Sequence, residues 1–342
     1  MTRYWAGACL GLLGAGAALA ADAPGPVWPQ LPDPARIRYV MALPGDMAPP
    51  VRKPSVFMKV IRFAVGLGEA TEAAERTLYR PTGLCVRGDL VYVADLGLRC
   101  VVRFDLAARK VDRLGSFRDA FTSPVGVAAA ADGRLWVSDS TPGRVVALTP
   151  KGKLAGVLDP PPGGWGRPTG LALDESRGRL WVADTGMHRV HAYNLAGRHQ
   201  FASGARGDGP GEFNFPTYLA VNELDGSLIV CDSANFRVQV LDADGKPLRR
   251  MGEAGNRPGF LSRPRGVAVD GEGHVYVVDA AFETVQILDA KGRLLLFFGQ
   301  SGEAPGSFAM PGGIFIDARD RVFVADTYNG RVQIFQYLKG GA

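Results

Sequence analysis

Histidine is scarce, with four residues in 342: His188, His191, His199 and His274. Cysteine is equally scarce, with Cys9, Cys85, Cys100 and Cys231. Cys9 falls in a leader segment, so three cysteines remain. A fold stapled by disulfides normally carries an even set at tight spacing. A chain of this length buries a core without staples, and the three are read as small apolar groups within strands. Charge of one sign is also lacking. Lys plus Arg number 39 against 34 Asp plus Glu, a net +5 with no long basic run. A nucleic-acid binder normally concentrates its basic residues in a patch or stripe, so no nucleic-acid partner is expected. Gly-x-Ser-x-Gly, His-Glu-x-x-His, a Walker loop and Cys-x-x-Cys-His are all missing. Covalent haem and nucleotide hydrolysis therefore have no support, and neither a cofactor nor a catalytic residue is predicted.

The only long apolar run lies at the start. Arg3 precedes the stretch Trp5 to Leu19, and Ala18-Leu19-Ala20 forms a small-x-small cleavage site. Residues 1–20 read as a secretory signal peptide. The mature chain is expected to be periplasmic or extracellular, without stable membrane insertion. Residues 21–35 contain five prolines and read as an extended linker without structure.

From about residue 79 the chain repeats. Units begin at Pro81, Pro124, Pro168, Pro216, Pro264 and Pro311, at spacings of 43, 44, 48, 48 and 47 residues. Each has a polar turn and then an apolar run ending in Asp, at Asp95, Asp139, Asp184, Asp232, Asp279 and Asp326. Two further alternating runs follow, separated by Gly turns. Such β-branched and aromatic runs are strands, and no segment of the repeats holds a helical period for three turns. Four strands at a period of ~40–50 residues predict an all-β, six-bladed β-propeller with four-stranded antiparallel blades. The sixth unit stops after its third strand, Gln333 to Tyr337. Residues 36–43 (Ile-Arg-Tyr-Val-Met-Ala-Leu after Arg36) are predicted to supply the missing outer strand and close the ring, burying Ile37, Tyr39 and Met41. The propeller then spans 36–342.

The units resemble NHL repeats. The resemblance rests on Pro-x-Gly-(Leu/Val), on the run ending Val-x-Asp, and on Arg-Val-x-x-(Phe/Tyr/Leu)-Asp, and it covers roughly residues 81–342. It implies the propeller fold. For function it is broad, since the family includes sensors, protein- and RNA-binding modules and a zinc-dependent amidating lyase. The lyase's zinc site does not carry over. His188 and His191 are three apart on one strand and face opposite sides, His199 follows a turn, and His274 lies on the other face. Convergence of the four is not expected, and no metal site is predicted.

Five residues after the strand-ending aspartates stand Cys100, Arg144, Arg189, Arg237, Thr284 and Arg331. The pairs Asp139–Arg144, Asp184–Arg189, Asp232–Arg237 and Asp326–Arg331 are read as structural bridges between second and third strands. Blades one and five lack the arginine, and blade five carries Phe282 and Glu283 in the same turn. Inner strands begin at the prolines. Their starts and the turns between second and third strands should share one face, here called the rim face. There the repeat breaks at Tyr218, where other units have Gly, and at Arg265. Tyr218 either fills the gap or joins Arg265 in binding. Residues 46–80 form a non-repetitive insertion entering the same face. Ser55 to Val65 is a candidate short helix with Phe57, Ile61 and Ala64 on one side, acting as a lid or as a docking element.

The expectation is an exported, non-catalytic binding or scaffold propeller, monomeric by itself. It would meet an envelope or extracellular protein at the rim face. Candidate rim-face residues are Tyr218, Arg265, Phe282, Glu283, Phe57 and Ile61. A metal-dependent lyase or hydrolase, and a saccharide or small-ligand site at the channel mouth, stand as alternatives.

Overall fold

A computed structural model describes residues 25–30, 32–44, 76–115 and 121–339. The predicted signal peptide, most of the insertion, and Phe57 and Ile61 lie outside the described residues.

Six antiparallel sheets form a ring, with each inner strand contacting the inner strands of both neighbours. The inner strands are Pro81–Arg87, Pro124–Ala129, Pro168–Asp174, Pro216–Val221, Pro264–Val269 and Ile314–Ile316. Between adjacent sheets lie six apolar clusters. Phe213, Trp181 and Val230 fill the space between blades three and four. Met251, Val277 and Leu288 fill that between blades four and five. Second strands are buried along their whole length or all but their first residue, as in Leu228–Asp232 and Leu90–Asp95. This is why they read as continuous apolar runs rather than alternating ones.

The ring closes as expected. Ile37–Leu43 pairs antiparallel with Arg331–Tyr337, the third strand of blade six. The register shifts between Tyr39 and Met41. A shift of one residue sends the following side chains to the opposite face. Ile37 and Tyr39 therefore pack between blades five and six, whereas Met41 and Leu43 pack between blades six and one. The expected single buried face of Ile37, Tyr39 and Met41 is thus divided between two cores.

The segment read as an unstructured linker contains a strand. Val27–Trp28 pairs with Arg38 and Ile37, giving blade six a fifth strand. The Trp28 ring lies 5.7 Å from Phe298 and 5.9 Å from Phe335. An aromatic anchor offsets the weakness of a two-residue pairing between prolines.

Inter-blade spacing is smallest at the axis. A Cβ on Gly126 would strike Thr169 O, and one on Gly170 would strike Thr217 O and the Tyr218 Cα. Glycine two residues after the unit-starting proline, in every blade but the fourth, lets neighbouring backbones touch. Thr82, Thr169 and Thr217 then stitch the ring. Their hydroxyls donate to the carbonyls of Val125 (3.0 Å), Thr217 (3.0 Å) and Arg265 (3.2 Å) in the next blade.

Candidate functional site: the rim face and the axial cavity

The strand-ending aspartates hold the rim face together from beneath. Each is fully buried, and each accepts backbone N–H groups from the loop entering its own blade. Asp95 accepts from Tyr79 (2.7 Å), Arg80 (3.0 Å), Gly97 (2.9 Å) and Leu98 (2.9 Å). Asp279 accepts from Ser262 (2.7 Å), Arg263 (3.0 Å) and Ala281 (3.0 Å). Blades one and five thus satisfy the carboxylate without arginine.

Three of the four Asp–Arg pairs meet. Arg144 reaches Asp139 at 2.8 Å, Arg237 reaches Asp232 at 2.8 Å, and Arg331 reaches Asp326 at 2.7 Å. The fourth does not form. Arg189 is exposed and makes no ion pair with Asp184. The Asp184 carboxylate is instead filled by the N–H groups of Gly166 (2.8 Å), Arg167 (2.7 Å) and Met187 (3.0 Å).

Blades four and six share a fuller arrangement. Asp232 Oδ2 also accepts from Asn235 (2.9 Å) and Gln239 (3.2 Å), and Asp326 Oδ2 from Asn329 (2.8 Å) and Gln333 (2.9 Å). One entering N–H is then passed to the preceding blade. Phe215 N–H donates to His188 Nδ1 at 3.2 Å, and Met310 N–H donates to Glu283 Oε1 at 3.0 Å. Glu283, expected at a binding surface, serves as this acceptor. The glutamines were not singled out from the sequence. Their signal is the recurrence of Val-Gln at 238–239, 285–286 and 332–333.

With its polar groups engaged in the fold, the rim face exposes apolar side chains: Met187, Phe215, Phe236 and Tyr328. The rings of His188 and Phe215 are 4.6 Å apart, and Arg80 lies 5.8 Å over Tyr328.

The axial cavity has a volume of about 430 Å³. It runs from Gly83, Gly126, Tyr218 and Gly313 outward to Arg87, Glu223, Asp270, Arg319 and Lys339. Its wide mouth is therefore on the face opposite the rim. Tyr218 lines the cavity floor, where burial raises its phenol pKa and the nearby Arg265 charge partly opposes that shift. Arg265 is not among the lining residues. The two are neighbours, as the sequence suggested, but they do not frame one mouth. The inner strands leave one edge unpaired, so the cavity wall offers backbone polar groups. The mouth's charges are largely paired: Arg319–Asp89 at 2.9 Å, Lys339–Asp320 at 2.7 Å, and Arg87 with Glu175.

Two of the four histidines meet. His191 Nδ1 is 3.2 Å from His199 Nε2. Tyr193 faces the same side as His191 and is the strand partner of His199, which places the two imidazoles diagonally across the pair. Burial pushes His191 down to about 4 and lowers His199 as well. Among the described residues, no three His, Cys, Asp or Glu converge in a metal-binding group. Cys85, Cys100 and Cys231 are buried and unpaired. Burial pushes their thiols up to about 12, 11 and 12.

Residues 166–193 and 308–335 match the NHL repeat model. The chain resembles NHL-repeat propeller proteins. Solved structures of low sequence identity share the fold. One is a protein of unknown function from Bacteroides thetaiotaomicron, 20% identical, with 76% of this chain and 70% of that chain covered at a TM-score of 0.60. An auxiliary nutrient binding protein from Bacteroides ovatus is 14% identical over 80% of this chain and 75% of its own, at 0.59. Virginiamycin B lyase from Staphylococcus aureus is 13% identical over 78% and 97%, at 0.57. These likenesses concern the fold alone. No curated protein matches the chain in sequence. Among the described residues, no helix is long and apolar enough to cross a membrane.

Proposed function

We propose that the chain is an exported, non-catalytic binding propeller that holds an envelope or extracellular protein on its rim face. The observation that carries this reading is the exposure of Met187, Phe215 and Phe236 on adjoining turns of blades three and four. Exposed apolar groups clustered on one surface mark protein-interaction sites. The residues leading into Pro81 arrive at this face, since Tyr79 and Arg80 donate to the rim-side Asp95. Residues 76–80 therefore border the docking surface in this reading.

The test uses a photo-crosslinking side chain placed at Phe236 and, as a control, at Glu223 on the opposite face. The captured partner is purified, and its affinity is measured against wild type and against Met187→Ser, Phe215→Asn, Phe236→Asn combined. Asn suits the positive φ of 53° at Phe215 and 54° at Phe236. Loss of at least about tenfold in affinity, equal to 1.4 kcal/mol, is the expected result. Crosslinks confined to Glu223, or unchanged affinity, would remove the proposal.

A second reading is favoured by the axial cavity. At about 430 Å³ it lies within the range of small-ligand sites, and its backbone-lined wall suits a polar ligand such as a saccharide. Retention of a small polar molecule by wild type, and its loss on Leu219→Trp, would support that reading.

A further inference from the structure

Blades four, five and six are entered by loops of one pattern, 204–216, 252–264 and 299–311. Each has Gly at its first, fourth and eighth positions and Pro at its seventh and last. In each, the third and tenth residues bridge: Arg206–Phe213, Ala254–Leu261 and Ser301–Phe308. A glutamine braces each loop through the same two bonds. In blade five these are Gly259 N–H to Gln286 Oε1 (2.8 Å) and Gln286 Nε2 to Phe260 O (2.7 Å).

In blades four and six an arginine fills each loop. Arg237 donates to the carbonyls of Asp208 (2.5 Å), Gly209 (3.0 Å) and Glu212 (2.9 Å). Arg331 does the same with Glu303 (2.7 Å), Ala304 (3.1 Å) and Ser307 (2.8 Å). An asparagine helps, with Asn235 donating to Gly207 O and Asn329 to Gly302 O, at 2.8 and 2.9 Å. Blade five keeps the loop and its glutamine but has Thr284 in place of the arginine and Phe282 in place of the asparagine. The corresponding carbonyls are those of Asn256, Arg257 and Phe260. Each has one donor fewer than its counterparts.

A pocket of about 170 Å³ opens there, lined by Asn256, Arg257, Pro258, Phe282, Thr284 and Phe297 together with Gln286. Phe297 is 43% exposed, so the pocket is reachable from outside.

We propose that this blade-five pocket takes the arginine side chain of a partner protein, whose guanidinium occupies the place that Arg237 and Arg331 fill from within the chain. Three carbonyls in a fixed arc match the planar fork of guanidinium better than the point charge of an ammonium. Phe282 and Phe297 add aromatic surface of the kind on which guanidinium stacks. Arg257 opposes the charge, but it is exposed and its repulsion is screened by salt. The site rests on one loop and not on the apolar turns of blades three and four, so the two proposals fail separately.

The test compares N-acetyl-arginine methylamide with its citrulline counterpart by saturation-transfer NMR on the whole protein. Wild type is expected to give a signal with arginine and little with citrulline. Thr284→Arg restores the residue of blades four and six and fills the site in cis. It should cut the signal at least about tenfold and raise the melting temperature by about 2–4 °C. Arg257→Ala should strengthen the signal. Should Thr284→Arg not fold, Phe282→Asn removes the aromatic wall and should weaken the signal likewise. Equal signals from arginine and citrulline, or undiminished binding by the substituted proteins, would overturn the proposal. A stronger signal from free arginine than from the capped form would assign the pocket to the amino acid itself and overturn the docking role.

Discussion

Tyr218 of blade four reaches Gly313 of blade six, where a Cβ on the glycine would lie 3.4 Å from Tyr218 Cε1. One side chain thus crosses the axis where five blades supply only glycine. Tyr218→Gly should open the channel from face to face. It removes a ring packed against the core between blades four and five, at a cost of about 2–3 kcal/mol by large-to-small precedent. Urea melting measures the cost. A crystal structure of the variant shows whether the channel opens.

The buried pairs predict unequal costs for similar substitutions. Asp232→Ala leaves Arg237, only 6% exposed at its side chain, without a counter-charge. Breaking such a pair costs about 3–5 kcal/mol. Arg189→Ala, by contrast, removes an exposed side chain that makes no bridge and should leave the melting temperature unchanged. Equal losses from the two would contradict the distinction between the blades.

The closing strand carries an all-or-none prediction. Ile37 and Leu43 are fully buried, each contributing about 1.5–3 kcal/mol, and their loss would also expose the strand edge at 331–337. Deletion of residues 36–43 should unfold the whole domain. Trp28→Ala, at the added fifth strand, should cost about 2 kcal/mol and leave the ring intact. Circular dichroism melts of the two variants separate these outcomes, and a cooperative melt from the deletion would refute the first.

Stability should fall in mild acid because of His191. Its folded pKa is lowered to about 4, below the ordinary value of about 6.5. The unfolded chain therefore binds the extra proton first. The full stability is present above pH 6.5, declines as pH drops toward 4, and changes no further from this group below that. The span corresponds to roughly 3 kcal/mol. His191→Phe should flatten the dependence in that window, read as the urea midpoint against pH.

The architecture was legible because six copies repeat the same turn and strand pattern, and six aspartates end the second strands. The chain-end closure followed from a missing fourth strand. What escaped was set by exceptions to the repeat. Val27–Trp28 is too short and too proline-flanked to read as a strand, and its pairing depends on Trp28 meeting Phe298 and Phe335. The bulge at Tyr39–Met41 has no local signature. Arg189 matches its counterparts in sequence, yet two N–H groups of the entering loop and that of Met187 in the following turn already fill Asp184. The direction of the cavity depends on where Tyr218 sends its ring, which the spacing of residues does not specify.

The union of the first and last strands in one sheet has a consequence for biogenesis. Ile37 emerges from the ribosome 300 residues before Tyr337, its partner across the closing strand pair. Through almost all of synthesis the leading strand must wait without its mate, so any factor that shields nascent chains has its longest task at that segment.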